Sequence, residues 1–419
     1  MSAALGDWLS RLESRHHKPI DLGLERIAEV LDRLDFVVDC PVIVVGGTNG
    51  KGSACAYLHT ILSQAGYHVG LYTSPHLRHF NERVRIGVDL ADDTSLIAAM
   101  AAVEAVRQDT ELTYFEHTTL AALWLFQRAR LEALILEVGL GGRLDAVNVV
   151  ESDCAVVTSV DLDHQDYLGT DRERIGFEKA GIYRAGKVAI CTDPTPPRSL
   201  LQHVAALPAR LLGLGGEIQI HVQDTVWECR VAGTVYPALP WPALRGRHQL
   251  HNAAAALAAL WSLRERLPVP MAAIRSGLAT TALAGRFQVI GHAPLRILDV
   301  AHNPHAARAL AANLADLPPS GRKIAVFGML ADKDIEAVVA CLRPGIDYWH
   351  VAPLHGPRAA DRSRLQSAMQ RFACAHTLHD AVEEAWRAAC QEAGPTDTIV
   401  AFGSFHTVAE IMAAIEQNG

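Results

Sequence analysis

The stretch Pro41-Val-Ile-Val-Val-Gly-Gly-Thr-Asn-Gly-Lys-Gly-Ser53 decides the fold of this chain. An apolar run from Val42 to Val45, typical of a buried strand, leads into a glycine-rich turn, and an apolar helical pattern starts at Ala54. Strand, glycine-rich loop and helix in this order form a phosphate cradle, in which backbone N–H groups and the helix N-terminus face an anion. The sequence therefore predicts a nucleotide-binding α/β domain.

Gly50, Lys51, Gly52 and Ser53 carry the predicted chemistry of this loop. Lys51 supplies a full positive charge to the phosphates, and Ser53 is placed to offer its hydroxyl to a magnesium ion that the phosphates carry. The common template has a glycine where this chain has Val45, so the loop is a variant form. A glycine-rich turn alone is often only a tight turn, but the strand and helix around it favour nucleotide binding.

Composition narrows the class of protein. The chain has 419 residues, half of them hydrophobic and a fifth charged, which is typical of a globular enzyme of two domains. A net charge of −8 argues against a nucleic-acid partner. The longest apolar run, Ala253 to Trp261, is too short for a membrane span, and the N-terminus does not resemble a signal peptide. The 8 cysteines show no C-x-x-C spacing, so we expect reduced thiols in a cytoplasmic protein.

Apolar runs alternate with helical patterns along most of the chain, which predicts a mostly parallel sheet with helices on both faces. Residues 211–245 break this rhythm with Gly, Pro, Trp and short alternating runs, and we interpret them as a small antiparallel β insertion. A second alternating series begins at Leu295 and predicts a smaller, Rossmann-like α/β domain. We therefore expect two domains, at 1–286 and 287–419. The predicted strands are Val42–Val45, His68–Tyr72, Leu134–Val138, Ala155–Val160, Val188–Cys191, Leu295–Val300, Lys323–Phe327, Tyr348–Val351 and Thr398–Phe402, and the predicted helices include Ala54–Gln64, Ser95–Val106, Thr118–Arg130 and Asn252–Arg264.

Polar side chains follow three of the predicted strands where each strand ends. Ser74 follows the second strand, Glu137 comes at the end of the third, and His164 follows the fourth. Because ligands of open parallel sheets lie beyond the carboxyl ends of the strands, these groups should share an edge with Lys51. Oxygen ligands suit Mg²⁺, whereas a lone histidine such as His164 is more often a structural residue.

Several motifs in order resemble a known family. Gly47-Thr-Asn-Gly-Lys-Gly-Ser53, Thr73-Ser-Pro-His-Leu77, Glu137-Val-Gly-Leu-Gly-Gly-Arg-Leu-Asp145, Asp163-His-Gln-Asp-Tyr-Leu-Gly169, Phe177-Glu-Lys-Ala-Gly-Ile182 and Asp299-Val-Ala-His-Asn-Pro304 are similar to signatures of the folylpolyglutamate synthases. The resemblance is closest to the bacterial bifunctional dihydrofolate synthase/folylpolyglutamate synthases, relatives of the Mur peptidoglycan ligases. It covers residues 47–304, with weaker agreement to the end. The resemblance implies that residues 1–286 form a Mur-ligase-like domain that binds ATP and pterin, and that residues 287–419 form an α/β domain of the glutamate-ligase type.

The resemblance implies the ligands of a metal ion and of ATP. Ser74, Glu137 and His164 would hold one Mg²⁺ ion. The protein would bind one or two such ions in total. The residues that would contact ATP are Asn49, Gly50, Lys51, Gly52, Ser53, Asn252, Arg286, Asp299 and His302. Lys51, Lys179 and His164 would be catalytic. In the family, the lysine matching Lys179 is carbamylated to N6-carboxylysine, which turns a cation into an anion able to hold a second metal. From the residues alone, Lys179 would be a solvated helix residue.

The resemblance also implies the organic substrates. The pterin would lie against Thr113, Tyr114, Phe115 and Glu116 together with Leu144, Asp145 and Ala146. An aromatic pair suits a flat ring and a carboxylate suits ring N–H donors, but the same segment also reads as a helix start that packs its aromatic side chains into the core. The incoming glutamate would lie near Ser404 and His406.

The reaction implied is ATP-dependent ligation of L-glutamate to dihydropteroate and to folates, including tetrahydrofolates, through an acyl phosphate. We expect a monomer with these small molecules as its partners. A Mur-type peptidoglycan ligase is one alternative, but it should carry a further N-terminal domain, and only about 40 residues precede the loop. A non-enzymatic nucleotide switch is another, but it would not need the pterin segment, the Lys179 motif or Asp299.

Overall fold

The computed structural model describes residues 1–16, 18, 20–319 and 321–417. Its strands are β1 Val42–Gly46, β2 Val69–Tyr72, β3 Val84–Ile86, β4 Asp89–Leu90, β5 Ala133–Glu137, β6 Cys154–Val157, β7 Val188–Cys191, β8 Arg210–Gly213, β9 Ile218–Val222, β10 Val226–Val231, β11 Thr234–Pro240, β12 Gln288–His292, β13 Leu295–Leu298, β14 Lys323–Phe327, β15 Tyr348–Val351, β16 His376–Leu378 and β17 Thr398–Phe402. Its helices are α1 Ala3–Arg15, α2 Glu25–Arg33, α3 Lys51–Gln64, α4 Asp93–Arg107, α5 Tyr114–Arg128, α6 Gln165–Leu168, α7 Arg172–Ala180, α8 Arg198–Ala206, α9 His248–Ser262, α10 Met271–Thr280, α11 Pro304–Ala315, α12 Ile335–Leu342, α13 Arg362–Arg371, α14 Val382–Glu392 and α15 Phe405–Gln417.

The contacts within the chain divide it into two compact units. Unit 1 comprises Met1–Val160, Leu168–Ala243 and Gln249–Thr281, and unit 2 comprises Asp161–Tyr167, Leu244–His248 and the chain from Ala282 onward. The predicted α/β class is confirmed in both units. The predicted domain boundary between residues 286 and 287 stays a prediction.

Unit 1 is built on an eight-stranded sheet with the order β4-β3-β2-β5-β1-β6-β7-β8. The six strands from β2 to β8 along this order are parallel, and β3 and β4 form an antiparallel edge. β1 lies in the middle, and all of its residues are buried, which explains its unbroken run of apolar side chains. The register pairs Val45 with Glu137 and Gly46 with Val157, so three carboxyl ends of strands meet at the phosphate loop.

Several boundaries in unit 1 differ from the predictions. β6 ends at Val157, three residues earlier than predicted, and beyond it the side chains of Thr158 and Ser159 bond to the phosphate loop. α5 starts at Tyr114, four residues earlier than predicted, because Thr113 caps it. The β insertion starts later than residue 211, since Leu211–Gly213 belongs to β8 of the main sheet, and only β9, β10 and β11 form the separate antiparallel sheet.

Unit 2 contains a six-stranded sheet with the order β12-β13-β17-β14-β15-β16. The five strands β13, β17, β14, β15 and β16 are parallel. β12, which was not predicted, runs antiparallel at one edge. The core of unit 2 includes Phe327, Trp349 and Phe402, whose rings pack against one another with centroids 5.2 to 5.7 Å apart. Among the described residues, no helix is long and apolar enough to cross a membrane.

Candidate active site

Two glycines let the phosphate loop approach its neighbours closely. Gly47 and Gly50 have φ angles of 144° and 89°, in the region that favours glycine. A Cβ atom on Gly47 would lie 2.0 Å from Oγ1 of Thr158, and one on Gly50 would lie 2.3 Å from Oδ1 of Asn252. The structure thus brings together two of the residues predicted to contact ATP, Gly50 and Asn252. Asn252 donates from Nδ2 to Oε1 of Gln249 at 3.0 Å, which fixes its amide beside the loop.

The loop is held from the end of β6 by two residues that the sequence analysis did not single out. Oγ1 of Thr158 donates to the carbonyl oxygen of Asn49 at 2.7 Å, and Oγ of Ser159 donates to the same oxygen at 2.9 Å. The backbone nitrogen of Thr48 donates to the carbonyl oxygen of Ser159 at 2.7 Å. The sequence signal for these contacts is a pair of hydroxyl-bearing residues directly after a predicted buried strand. These contacts fix the conformation of the loop.

Lys51 and Ser53 lie in the first turn of α3, which begins directly after Gly50. Nζ of Lys51 donates to the carbonyl oxygens of Gly47 and Thr48 at 3.0 and 3.4 Å, so the ammonium lies over its own loop. Ser53 is buried. The positive end of the helix dipole and the ammonium therefore meet at one place, which is the charge distribution that a bound phosphate needs.

Glu137 and Ser74, two of the predicted metal ligands, are neighbours in unit 1. The buried carboxylate of Glu137 accepts a hydrogen bond from the backbone nitrogen of Ser74 at 3.2 Å. Glu82, which the sequence analysis missed, shapes the loop that carries Ser74, since its carboxylate accepts bonds from the backbone nitrogens of Leu77, Arg78 and His79 at 2.7 to 2.9 Å. The carboxylate of Glu137 and the hydroxyl of Ser74 are hard oxygen donors, of the kind that suits Mg²⁺ or Mn²⁺.

Lys179 lies near the C-terminal end of α7 and is 3 % exposed. It is therefore not the solvated helix residue that the sequence alone suggested. The glycine-rich loop after β5 packs on this end of α7, where a Cβ atom on Gly142 would lie 2.8 Å from the carbonyl oxygen of Glu178. The same contact is reinforced by the ion pair of Arg143 with Glu178 at 2.8 Å. This arrangement joins the Lys179 motif to the loop that starts at Glu137.

The predicted pterin segment forms the capped start of α5. Thr113 and Glu116 form a capping box, in which each side chain accepts a hydrogen bond from the backbone of the other at 3.2 and 2.7 Å. Glu116 also pairs with Arg26 at 3.1 Å. The carboxylate predicted to meet ring N–H donors is thus already engaged in the fold, which favours the structural role left open for Glu116.

The aromatic pair of the same segment contacts the core and the loop after β5. Tyr114 and Phe115 are partly buried, and Phe115 lies 6.2 Å from Tyr72 between ring centroids. A Cβ atom on Gly139 would lie 2.6 Å from Phe115, so the ring touches the loop that leads to Leu144, Asp145 and Ala146. The structure therefore brings the two halves of the predicted pterin site together.

Asp145 is a buried carboxylate that begins a short 3-10 helix, Ala146–Val149. It accepts hydrogen bonds from the backbone nitrogens of Leu140 and Val147 at 2.8 and 3.0 Å. Burial outweighs these bonds and raises the pKa of Asp145 to about 6.

This raised pKa predicts a pH dependence of stability. The folded protein binds a proton at Asp145 between about pH 4 and 6, where the unfolded chain has lost it, so stability falls as pH rises through this window and is constant above it. We expect the free energy of unfolding relative to Asp145→Asn to fall by about 3 kcal/mol across the window in urea titrations. Glu151→Gln, at a solvent-exposed carboxylate, is the control and should follow the parent. Parallel curves for the parent and Asp145→Asn would contradict the prediction.

His164, the third predicted metal ligand, lies in the segment Asp161–Tyr167 of unit 2. The preceding residue, Asp163, accepts a hydrogen bond from Nζ of Lys333 at 2.6 Å and one from Nδ2 of Asn303 at 3.0 Å. His302, predicted to contact ATP, has its Nε2 atom 3.5 Å from the same carboxylate. Burial would raise the pKa of Asp163, but His302 and Lys333 hold it far below its usual range. These cations therefore favour the ionised form of Asp163.

Two other predicted residues of unit 2, Arg286 and His302, lie close to Phe405. The guanidinium of Arg286 lies 5.2 Å above the ring of Phe405, and the ring of His302 is 6.1 Å from it. Asp299 accepts hydrogen bonds from the backbone nitrogens of Phe287 and Ala301, both at 2.8 Å, and burial raises its pKa. Arg286 and His302 thus share an aromatic platform that sequence motifs did not indicate.

Ser404 and His406, the tentative glutamate ligands, flank Phe405 at the start of α15. Ser404 is buried and its Oγ atom accepts a hydrogen bond from the backbone nitrogen of His406 at 3.1 Å, whereas the side chain of His406 is exposed. The two side chains therefore differ in accessibility, and His406 is the more available to a ligand.

A fold with a phosphate loop on one parallel sheet, followed by a second α/β unit, defines a class of ATP-dependent ligases. Residues 45–260 match the family described as Mur ligase middle domain, and residues 285–405 match the Mur ligase, glutamate ligase domain. The dihydrofolate synthase/folylpolyglutamate synthase of Escherichia coli K12 is 46% identical over 416 residues, with 99% of this chain and 96% of that protein covered. The enzyme of the same name from Haemophilus influenzae is 40% identical over 438 residues, covering 99% and 98%.

Solved structures agree over the whole chain. The structure described as E. coli FolC in complex with DHPP and ADP is 46% identical, has a TM-score of 0.94 and covers 100% of each chain. A bifunctional folylpolyglutamate synthase/dihydrofolate synthase with Mn, AMPPNP and L-glutamate bound is 45% identical, with a TM-score of 0.92 and 98% of each chain covered. The chain belongs to the dihydrofolate synthase/folylpolyglutamate synthase family of the Mur ligases.

Proposed function

We propose that this protein is an ATP-dependent ligase that joins L-glutamate to the carboxylate of dihydropteroate, making dihydrofolate, and to folyl-glutamates. Membership of the family supports this proposal, and relatives that carry this double name cover almost the whole chain. The single structural observation that carries it is the preformed phosphate loop with Lys51 at the N-terminus of α3. The Mur-type peptidoglycan ligase and the nucleotide switch are less favoured, because these relatives are named for folate synthesis.

In the proposed reaction the γ-phosphate of ATP passes to the substrate carboxylate and forms an acyl phosphate. The amine of glutamate then attacks the acyl carbon, inorganic phosphate leaves, and an amide bond forms. Lys51 and the backbone N–H groups of the loop stabilise the charge that develops on the transferring phosphoryl group. No side-chain nucleophile is needed, so the protein contributes mainly positioning, charge and exclusion of water.

By the resemblance to the family, the residues that would hold a divalent ion are Ser74, Glu137 and His164. Such an ion neutralises charge on the phosphates of ATP. The buried carboxylate of Glu137 beside Ser74 fits this role by the chemistry of its donors. N6-Carboxylysine at Lys179 would add a second anionic donor, and the burial of this lysine supports that part of the proposal. Aromatic Tyr114 and Phe115, with the loop at Leu144–Ala146, would bind the pterin ring.

The proposed function is tested by incubating the protein with ATP, Mg²⁺, glutamate and either dihydropteroate or tetrahydrofolate. Mass spectrometry should show the mass of one added glutamate on dihydropteroate and of one or more on tetrahydrofolate. ATP hydrolysis that is indifferent to both glutamate and pteroate would instead indicate a nucleotide switch. Product from a UDP-sugar peptide alone would indicate a Mur-type ligase.

Glu137→Gln should weaken the use of the metal. The substitution keeps the size of the side chain but removes the negative charge, so the Mg²⁺ concentration for half-maximal activity should rise at least about 10-fold, with the KM for glutamate changed less than about twofold. Glu132→Gln is the matched control, since Glu132 is an exposed carboxylate just before the same strand, β5. An unchanged Mg²⁺ dependence, or a rise in glutamate KM alone, would exclude Glu137 from the metal site.

A further inference from the structure

Arg83 is a buried cation of unit 1 that has no carboxylate partner. It ends a short 3-10 helix, Phe80–Arg83, directly before β3, and it is 9% exposed. Arg26, which is more exposed, pairs with the carboxylate of Asp21 at 2.7 Å. Arg83 forms no ion pair with any residue that the structure describes. Because taking a charge out of water costs free energy unless an opposite charge compensates it, Arg83 calls for a functional explanation.

The guanidinium of Arg83 lies against two aromatic rings and one imidazole. Its Cζ atom is 5.5 Å from the ring centre of Phe80 and 5.8 Å from that of Tyr114. Nε donates to Nδ1 of His76 at 2.9 Å, which is the only side-chain hydrogen bond of Arg83 with the described residues. The N–H donors on Nη1 and Nη2 are therefore unused. Neither atom is among the enclosed side-chain atoms that lack a partner, so both are open to solvent.

The contacts of Arg83 connect it to two parts of the proposed site. Tyr114 is one of the two aromatic residues that we assign to the pterin ring, and it lies under the guanidinium. His76 follows Ser74, which we assign to the metal ion, by two residues in the same loop. The backbone nitrogen of Thr73, in this loop, donates to the carbonyl oxygen of Arg83 at 2.9 Å. Arg83 therefore touches both the pterin segment and the loop of the proposed metal ligand.

The unused donors have the geometry that recognises a carboxylate. The two Nη groups of a guanidinium form a planar fork that can bond both oxygens of one carboxylate. Dihydropteroate carries its pterin ring at one end and its single carboxylate at the other. A phosphate of ATP could accept from the same fork, but the described polar and ring contacts of Arg83 include none with the phosphate loop, whereas they include Tyr114. The carboxylate is therefore the better match.

We propose that Arg83 binds the carboxylate of dihydropteroate, the group that receives the phosphoryl group, through its two Nη atoms. Stacking on Phe80 and Tyr114 holds the guanidinium in place, and the bond to His76 fixes its orientation. Arg83 then selects the acid over uncharged analogues of the same shape. The inference rests on the proposed function, because that function supplies the pteroyl carboxylate.

The test compares two ligands that differ only at the carboxylate, dihydropteroate and its carboxamide. Their affinities are measured by isothermal titration calorimetry in the presence of Mg²⁺ and a non-hydrolysable ATP analogue. Arg83→Met removes the charge, so it should weaken the binding of dihydropteroate at least about 10-fold and that of the carboxamide less than about twofold.

Arg85→Met is the matched control for the loss of a positive charge. Arg85 lies in β3, is more exposed than Arg83, and bonds through its side chain to the carbonyl oxygen of Val88 at 3.2 Å. Arg85→Met should bind both ligands as the parent does.

Equal weakening of both ligands by Arg83→Met would overturn the proposal, since Arg83 would then only support the rings around it. So would unchanged binding of dihydropteroate, a parent that binds the two ligands equally, or a loss of affinity for the ATP analogue as the main effect, since Arg83 would then contact phosphate. If Arg83→Met does not fold, Arg83→Gln keeps a polar side chain without the charge, and its ratio of the two affinities is judged by the same criteria. A parent that prefers the acid to the carboxamide but forms no glutamylated product would reject the proposed function, and the Arg83 variants would still decide the inference.

Discussion

Lys51→Ala should lower kcat more than about 100-fold and leave the fold intact. The loss of a charge that faces the transferring phosphoryl group removes about 3 kcal/mol or more of transition-state stabilisation. The fold should not depend on it, because the contacts of the ammonium are with the carbonyl oxygens of its own loop, at Gly47 and Thr48. Glutamate-dependent phosphate release under saturating ATP is the measurement, with thermal unfolding to check the fold.

A matched control distinguishes the effect of losing Lys51 at the phosphate loop from the general effect of removing a lysine. Lys187 precedes β7 and forms an exposed ion pair with Asp153 at 2.9 Å, so Lys187→Ala should retain nearly full activity. Near-normal turnover by Lys51→Ala would reject the assignment of this loop to ATP.

Lys179→Ala should be almost inactive, with a fall in kcat again above about 100-fold, if Lys179 carries a carbamate. Carbamylation needs an uncharged amine, and burial disfavours the charged form of any amine, so the 3 % exposure of Lys179 suits the modification. The alanine variant leaves space where the carbamate would be. Added formate or acetate should therefore restore part of the activity, measured as product formed at increasing carboxylate concentration.

Lys51→Ala is the control for this rescue, because a missing cation at the phosphate loop cannot be replaced by an anion. Full activity of Lys179→Ala in bicarbonate-free buffer would contradict the hypothesis. An unmodified ammonium at Lys179 in a nucleotide-bound crystal would contradict it as well.

The phosphate loop could be predicted from sequence because its determinants are local. Gly47, Gly50 and Lys51 act through backbone conformation and a helix start, which a few neighbouring residues specify. The strand ends at Ser74 and Glu137 followed from a general rule about parallel sheets, and the structure places these two residues side by side.

Glu82 and Phe405 could not be predicted, because each acts through contacts that the chain makes only after folding. The carboxylate of Glu82 accepts hydrogen bonds from three backbone nitrogens of the neighbouring loop, and no sequence motif indicates these contacts.

Thr113 shows a different difficulty, in which one sequence pattern allows two interpretations. The pattern Thr-x-x-Glu at Thr113 and Glu116 is typical of a capping box at a helix start. Because the same residues also resemble a substrate-binding segment, the sequence analysis placed the start of α5 too late.

The placement of Asp161–Tyr167 in unit 2 bears on how this protein can be divided. A fragment that begins at Ala282 contains Lys333 but lacks Asp163, and would bury an ammonium without its carboxylate. The two units are therefore not separable by a single cut in the gene. A chimaera that exchanges the C-terminal unit would need to keep these seven residues with it, so that Lys333 retains its carboxylate partner.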